Sequence, residues 1–442
     1  MSLSFLLHDP LIERGVLLVD IRRNLVLLML ICFLSQMGGF MIIPLFPLFI
    51  EEFGMSGWMM GIIFALFYVG KVLGGIPAAA LYRKLGGKKA LILMLLMLAV
   101  CMAGFAVSST ALLFGSLRLL QGVASTGLTV IVRSIVGDEG DVSNRGLYNG
   151  YISSSEGGGM VLGPVISGWL ALHWPLSVPF WLVTLCCLMA MGAAWGMKDR
   201  IRMNLDIQAM QDLNTLNSSP PTTNAPPLPT NAAAFVNPDP DQSNLPDTDN
   251  PALSQRQQFI GYATVHFLEM SAYAVFLTYF ALYAAHIMQW NPLQTSLAFT
   301  VAGLSTLAAA PVAGYLSDRM GDRLLLCMLG MLMIGIEVIV FLSTASYLWV
   351  YVGMLIGGVG GACYMDSFFA HVGDHIPEKN RSNVIGKIVS AAEIGSIVSP
   401  IIAALLVEYS SLYAVFVFNL LLIAAAIGVQ AVMRSRYRVH QR

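Results

Sequence analysis

Charge is scarce in this sequence: 11% of its 442 residues are Asp, Glu, Lys or Arg, against roughly a quarter in a soluble domain. With 57% hydrophobic residues and a mean hydropathy of +0.72, the chain cannot coat itself for water, and it reads as an integral membrane protein. The formal net charge of -1 carries no acidic or basic excess, so no nucleic-acid partner is expected. Cysteine patterning is missing too. Cys32, Cys101, Cys186, Cys187, Cys327 and Cys363 all lie within apolar runs without metal-ligand spacing, so they read as small core residues and no metal site is expected. The first 23 residues carry Asp9, Glu13, Arg14, Asp20, Arg22 and Arg23 and lack a cleavable apolar segment; the first span is expected to insert uncleaved.

What remains is apolar runs of membrane length. A hydrocarbon core about 30 Å thick needs roughly 20 apolar residues of helix. Twelve such runs, TM1 to TM12, fall at 24–49, 57–81, 89–108, 110–133, 146–171, 177–197, 258–286, 293–316, 324–344, 347–371, 383–407 and 411–433. Between the sixth and seventh, residues 198–256 hold nine of the 20 prolines and a single aromatic, Phe235. That composition cannot bury a core, so a disordered linker is expected there. The expected organisation is an N-terminal segment 1–23, a six-helix bundle 24–197, the linker 198–256, a second bundle 257–433 and a basic tail 434–442.

Lys and Arg fix an orientation. With Lys89, Arg133 and Lys387 at the span edges counted with the adjoining loops, the two ends, the even-numbered loops and the linker collect 22 of the 24 Lys and Arg, and the odd-numbered loops collect none. By the positive-inside rule both termini and the linker are expected in the cytoplasm. The remaining two, Lys71 and Arg118, fall inside spans.

The chain also repeats itself. G-D-E-G-D-V-S-N-R-G-L-Y-N-G (137–150) and G-D-H-I-P-E-K-N-R-S-N-V-I-G (373–386) share G-D-x5-N-R-x4-G. Asp138 and Arg145 thereby answer Asp374 and Arg381 at a shift of 236 residues, and the same shift carries Pro164 onto Pro400. Residues 81–89 and 316–324 echo each other at a shift of 235. The expected fold is an all-α membrane protein of 12 transmembrane helices in two six-helix repeats.

Four stretches carry a family likeness. G-Y-L-S-D-R-M-G-D-R (314–323) resembles the cytoplasmic G-x-L-x-D-R-x-G-R-R turn of the major facilitator superfamily, and R-L-L-Q-G (118–122) resembles its R-x-x-Q-G in TM4. G-M-V-L-G-P-V-I-S-G (159–168) is similar to the G-x3-G-P-x3-G signature of its proton-driven antiporters, and G-F-M-I-I-P-L-F-P (39–47) to the P-x-x-P segment of its twelve-helix drug:proton antiporters. The first repeat departs from the pattern, with Arg83 at the acidic position of the turn and Ala79 at its opening glycine. The resemblance implies that TM1, TM4, TM7 and TM10 line a central cavity, that TM2, TM5, TM8 and TM11 flank it, and that the others support from outside. It also implies gating by Asp318, Arg319 and Arg323. Gly159, Gly163, Pro164 and Gly168 would make a tight helix contact against proton leak, although ordinary small-residue packing fits them equally.

A charge at the bilayer centre costs at least about 2.5 kcal/mol and marks a function or a partner. On that criterion, with the helix roles implied by the resemblance, Arg118, His266, Glu269 and Asp366 lead the substrate and proton pathway, followed by Lys71, Glu156 and Glu393. Glu337, in a peripheral span, reads as a packing residue. His266 and Glu269 share a helix face, which suits a proton relay and is also half a metal site. Tyr273, Phe276, Tyr279 and Phe280 recur at helical spacing and offer a wall for a flat organic solute.

The expectation is a proton-coupled drug-efflux transporter of the inner membrane. No nucleotide-binding loop or cofactor motif is present, so the proton gradient would supply the energy. Its partners would be a small-molecule substrate, protons and the lipid bilayer, with the chain acting as a monomer. Arg118 would hold a carboxylate in one state. The alternatives are an importer of a metabolite or siderophore, or a non-transporting scaffold or receptor.

Overall fold

The computed structural model describes residues 10–139, 145–197, 255–376 and 378–439. Nearly all of the expected linker lies outside these residues. So do Asn144 and the side chains of Arg145, Asn380 and Arg381 in the repeated turn. The described chain is helical and contains no strand, as lipid demands: with no water to satisfy peptide groups, each span bonds within itself.

Twelve long helices occur among the described residues: α1 Pro10–Ile42, α2 Gly57–Leu85, α3 Gly87–Val107, α4 Ala111–Glu139, α5 Arg145–His173, α6 Val178–Trp195, α7 Gln255–His286, α8 Pro292–Met320, α9 Arg323–Ser343, α10 Tyr347–His375, α11 Glu378–Tyr409 and α12 Leu412–Val439. They correspond in order to TM1–TM12. Eleven are long and apolar enough to cross a membrane by composition. The exception is α5, whose middle is Ser153, Ser154, Ser155, Glu156 and three glycines. Its repeat partner α11 meets the criterion over Val384–Tyr409, and the two helices pack alike.

The first span differs from the expected 24–49. Helix α1 begins at Pro10 and stops at Ile42; after a turn at 43–45 a short helix, Phe46–Glu51, carries Pro47 in its first turn. Pro44 has no amide hydrogen to continue α1, and Pro47 is tolerated only where that hydrogen would be unbonded anyway. Elsewhere local chemistry sets the boundaries. Asn291 and Gln294 form a capping box that opens α8. Gly321 closes that helix at φ 65°, and the Asp322 side chain caps α9 by accepting from Leu325 N at 3.1 Å.

The packing is written twice. In the first half α1 lies on α5 and α6, α2 on α4, and α3 on α4 and α6. Six helices later, α7 lies on α11 and α12, α8 on α10, and α9 on α10 and α12. The halves meet where α2 faces α11 and α5 faces α8, and each of these four helices has an internal proline: Pro77, Pro400, Pro164 and Pro311. A helix that loses a backbone bond to proline tends to bend, and all four interface helices share that feature.

The contacts between halves run from mid-helix to the ends joined by odd-numbered loops. Thr300 Oγ1 donates to Val161 O at 3.1 Å, Gly61 lies against Ala404 and Pro400, and Gly168 lies against Ser296. Toward the opposite end, Gly150 in α5, Gly314 in α8 and Gly386 in α11 have open space where a side chain would start. These contacts between the bundles thus gather toward the odd-loop end.

Candidate functional site

The intramembrane charges sort into separate clusters. At mid-length of α2 and α11, Lys71 Nζ lies 2.6 Å from Glu393 Oε1. This pair joins the two halves. Glu393 Oε2 is buried without a hydrogen-bond partner, and the Lys71 ammonium sits 5.5 Å from the Tyr68 ring. The sequence marked both residues singly; their pairing is a product of the repeat interface.

The second cluster lies within the first half. Arg133 of α4 reaches Glu156 of α5 at 2.8 Å and also donates to Asn149 Oδ1 at 3.0 Å and Ser153 Oγ at 3.2 Å. The sequence reading passed over Arg133, the last residue of its fourth span, by counting it with the loop that follows. The apolar Ile135 and Val136 beyond it were the signal that the span continues, and α4 does run on to Glu139. Glu156 is thus held by a permanent cation.

The third lies in the second half. His266 Nδ1 of α7 is 3.2 Å from Glu269 Oε2, one turn on along the same helix face. Tyr364 Oη of α10 stands 3.4 Å from the same ring nitrogen, and Phe368 stacks on the imidazole at 5.3 Å. His266 is 3% and Glu269 8% exposed, so neither opens freely to water. Among the described residues no third His, Cys, Asp or Glu completes a metal cluster with them.

Three expectations take a different form. Among the described residues Arg118 meets no carboxylate in this conformation. It is buried, donates to Gln121 Oε1 at 3.0 Å, and stacks on Phe46 at 3.6 Å with Phe64 beyond at 4.7 Å. The rings of the short helix and α2 enclose its delocalised, weakly hydrated guanidinium by cation–π attraction. The aromatic wall is not assembled as one surface: Phe276 and Phe280 stack together and pack with Phe299 and Phe341 inside the second bundle. Tyr279 is buried with its hydroxyl donating to Pro400 O at 3.2 Å, and of the four only Tyr273 is exposed. Four ring positions on a helix of 3.6 residues per turn point in several directions, and most of them found bundle partners. Asp366 of α10, half-buried, has no side-chain partner among the described residues. Glu337 in α9 is buried against Gly357 of α10, where a glycine leaves room for the carboxyl group.

The turn residues do converge. Arg323 reaches Asp318 at 3.1 Å and Asp374 at 2.9 Å, joining the α8–α9 turn to the end of α10. Arg319 lies apart over the Tyr315 ring at 4.7 Å, and Asp138 accepts from the Tyr82 hydroxyl. The glycine motif divides its work. A Cβ on Gly159 would stand 2.4 Å from Phe33 O, and one on Gly163 2.4 Å from Met37 O, so these two bring α5 to backbone contact with α1. Gly168 instead faces Ser296 in the other half.

With this geometry in view, comparison with known proteins is informative. A family model described as Major Facilitator Superfamily matches residues 28–236 and 262–440. The chain is 21% identical over 401 residues to "Tetracycline resistance protein, class H" of Pasteurella multocida, covering 88% of this chain and 90% of that one. It is 27% identical over 158 residues to "Multidrug resistance protein 2" of Bacillus subtilis, a match that spans 36% of this chain and 39% of that protein. Among solved structures, a D-xylose-proton symporter aligns with a TM-score of 0.69 at 12% identity over 94% of this chain and 97% of its own. The human organic anion transporter MFSD10 (TETRAN) aligns with a TM-score of 0.59 at 16% identity, over 93% of this chain and 99% of its own. These two share the fold.

Proposed function

The chain belongs to the Major Facilitator Superfamily, and from that premise we propose that it is a proton-coupled transporter, exporting an amphiphilic organic solute across a bacterial inner membrane by alternating access. The observation that carries the coupling is the buried His266–Glu269 pair, near mid-length of α7. A carboxyl group beside an imidazole can share a proton with it, and an ionisable pair retained within a membrane span marks a proton or substrate path. The likeness to relatives named for tetracycline and multidrug resistance supports export of an organic compound.

With the termini in the cytoplasm, the ends joined by even-numbered loops face inward, and solute enters between the halves from that side. Rocking about α2–α11 and α5–α8 then exposes the site outward. A proton arriving from outside neutralises Glu269, with Asp366 the next acceptor, and loosens the contacts that hold the solute. Arg133 holds Glu156 in place, and Lys71–Glu393 ties the halves in the inward-facing state. The protein works as a monomer, without a cofactor.

Inverted membrane vesicles with an imposed pH gradient test this reading on a panel of amphiphilic cations, anions and neutral compounds. Gradient-dependent accumulation of at least one compound, lost in Glu269→Gln, is expected. Accumulation that ignores the gradient would remove proton coupling from the account.

A further inference from the structure

The turn between α2 and α3 crowds Arg83, Lys84, Lys88 and Lys89 together, and residues 79–91 contain no Asp or Glu. Its counterpart between α8 and α9 balances Arg319 and Arg323 with Asp318 and Asp322. There Arg323 bridges Asp318 and Asp374, and Arg434 takes Asp322. The first turn has no such answer among the described residues: Asp138 reaches it but accepts from the Tyr82 hydroxyl. Lys88 donates to the backbone at Met197 O, 2.9 Å away, and Arg23 of α1 donates to the neighbouring Gly196 O at 3.2 Å. Like charges crowded without counter-charge repel one another, so this cluster draws an anion.

Its place in the fold says which anion. Lys89 heads a stripe on α3 that continues through Leu93, Leu96 and Val100, all exposed and spaced to share one helix face. On α6, which packs against α3, exposed Leu185 and Leu188 lead in the same way to Trp195. Exposed apolar residues along membrane spans face acyl chains. The two stripes end together, since Trp195 is 71% exposed and the Lys88 ammonium lies 5.9 Å from its ring. Tryptophan settles at the headgroup level, which puts Lys88 and Lys89 at the depth of lipid phosphates. The second bundle does not repeat this: Leu324, the counterpart of Lys89, is 4% exposed.

We propose that Lys88, Lys89 and Trp195, with Arg23, Arg83 and Lys84 around them, form a binding site for the phosphate of an anionic phospholipid whose acyl chains lie along α3 and α6. An ammonium has three N–H donors, of which Lys88 gives one to Met197 O, so it can hold a lipid phosphate without leaving the protein. Each cation near an anionic lipid surface adds to the attraction. The lipid brings to the first turn the negative charge that Asp318 and Asp374 bring to the second. The site needs only that the chain spans a bilayer, and it stands whether or not transport is coupled to protons.

Native mass spectrometry of the full-length protein, released from detergent micelles after addition of phosphatidylglycerol, phosphatidylcholine or inorganic phosphate, reads the site directly. Phosphatidylglycerol, which is net negative, is retained over zwitterionic phosphatidylcholine. That preference falls by about fivefold for each lysine neutralised in Lys88→Gln and Lys89→Gln. Lys88→Arg combined with Lys89→Arg keeps both charges and keeps the preference, which separates loss of the site from loss of the fold. Equal retention of the two lipids by the wild type, or an unchanged preference in the doubly neutralised protein, overturns the proposal. So does displacement of phosphatidylglycerol by an equal concentration of inorganic phosphate, which would make the cluster a site for soluble anions.

Discussion

The turn between α2 and α3 and the turn between α8 and α9 occupy matched places in the two repeats, yet they are fastened differently. In the second repeat Arg323 bridges Asp318 and Asp374, and Arg434 of α12 reaches Asp322 at 2.8 Å. In the first, Arg83 stands where Asp318 would be and Lys88 where Arg323 would be. Lys88 donates to Met197 O at 2.9 Å instead, and Asp138, the counterpart of Asp374, is satisfied by Tyr82. The membrane interior shows the same contrast. The shift of 236 residues carries Arg133 onto Phe369, whose ring meets His266 edge-on at 5.5 Å, and Glu156 onto Ala392. One half holds an arginine against its carboxylate; the other holds a histidine. Backbone packing was duplicated, whereas charge was free to diverge, because packing needs only shape while each ion pair depends on two particular side chains.

The largest break in this comparison is expected from Glu269→Gln set against Glu156→Gln. The first lowers pH-driven transport by on the order of 100-fold with normal folding. The second leaves Arg133 with Asn149 and Ser153, keeps the pH response and costs about 1–3 kcal/mol of stability. Transport in vesicles and thermal melting in detergent read the two effects, and equal loss of coupling in both variants would erase the distinction between halves.

Next comes the helix contact that the repeats share. Gly163→Ala drives a methyl group toward Met37 O and should cost about 1–3 kcal/mol. Its counterpart Ser399 already fits a side chain and bonds Ser271 O at 2.9 Å, so Ser399→Ala should cost about 1 kcal/mol. Melting temperatures of the two variants settle the order.

The link between the halves gives a smaller, state-dependent effect. Lys71→Glu or Glu393→Lys alone should slow transport severalfold, since the pair is only partly buried, at about 1–2 kcal/mol. The double exchange should recover much of the rate, and a double-mutant cycle without coupling would deny that the pair acts as a unit. Smallest is the turn itself. Asp318→Asn leaves Arg323 with Asp374, so an exposed contact worth about 1 kcal/mol or less is lost and switching slows by a factor of a few. Arg83→Ala should be close to the wild type in transport rate.

How much of this was legible in the sequence varied by the kind of signal. Span number and repeat symmetry were readable because helices of membrane length leave long apolar runs, and because G-D-x5-N-R-x4-G marks the same turn twice. The α1 break was present in Pro44 and Pro47 but was passed over inside an apolar run. Asp318, Arg323 and Asp374 were singled out individually, and their convergence followed from the repeat. Arg133 was hidden by a boundary only a few residues off. Arg118 was expected to hold a carboxylate in one state; no one-dimensional pattern shows that Phe46, from a separate short helix, covers it here.

By itself the sequence determined that this chain lives in a bilayer, crosses it as a doubled six-helix unit, and keeps Lys and Arg to one set of loops. Those properties are sums over many residues, set by transfer of side chains into lipid and by the length a helix needs to cross it. Tertiary structure alone decided which charges meet. Lys71 finds Glu393 across 322 residues, Arg133 finds Glu156 on the next helix, and His266 keeps Glu269 beneath a layer of aromatic rings. A buried charge takes whichever partner the packing of helices sets within about 3 Å, and that packing is fixed by small residues and prolines distant from the charges themselves.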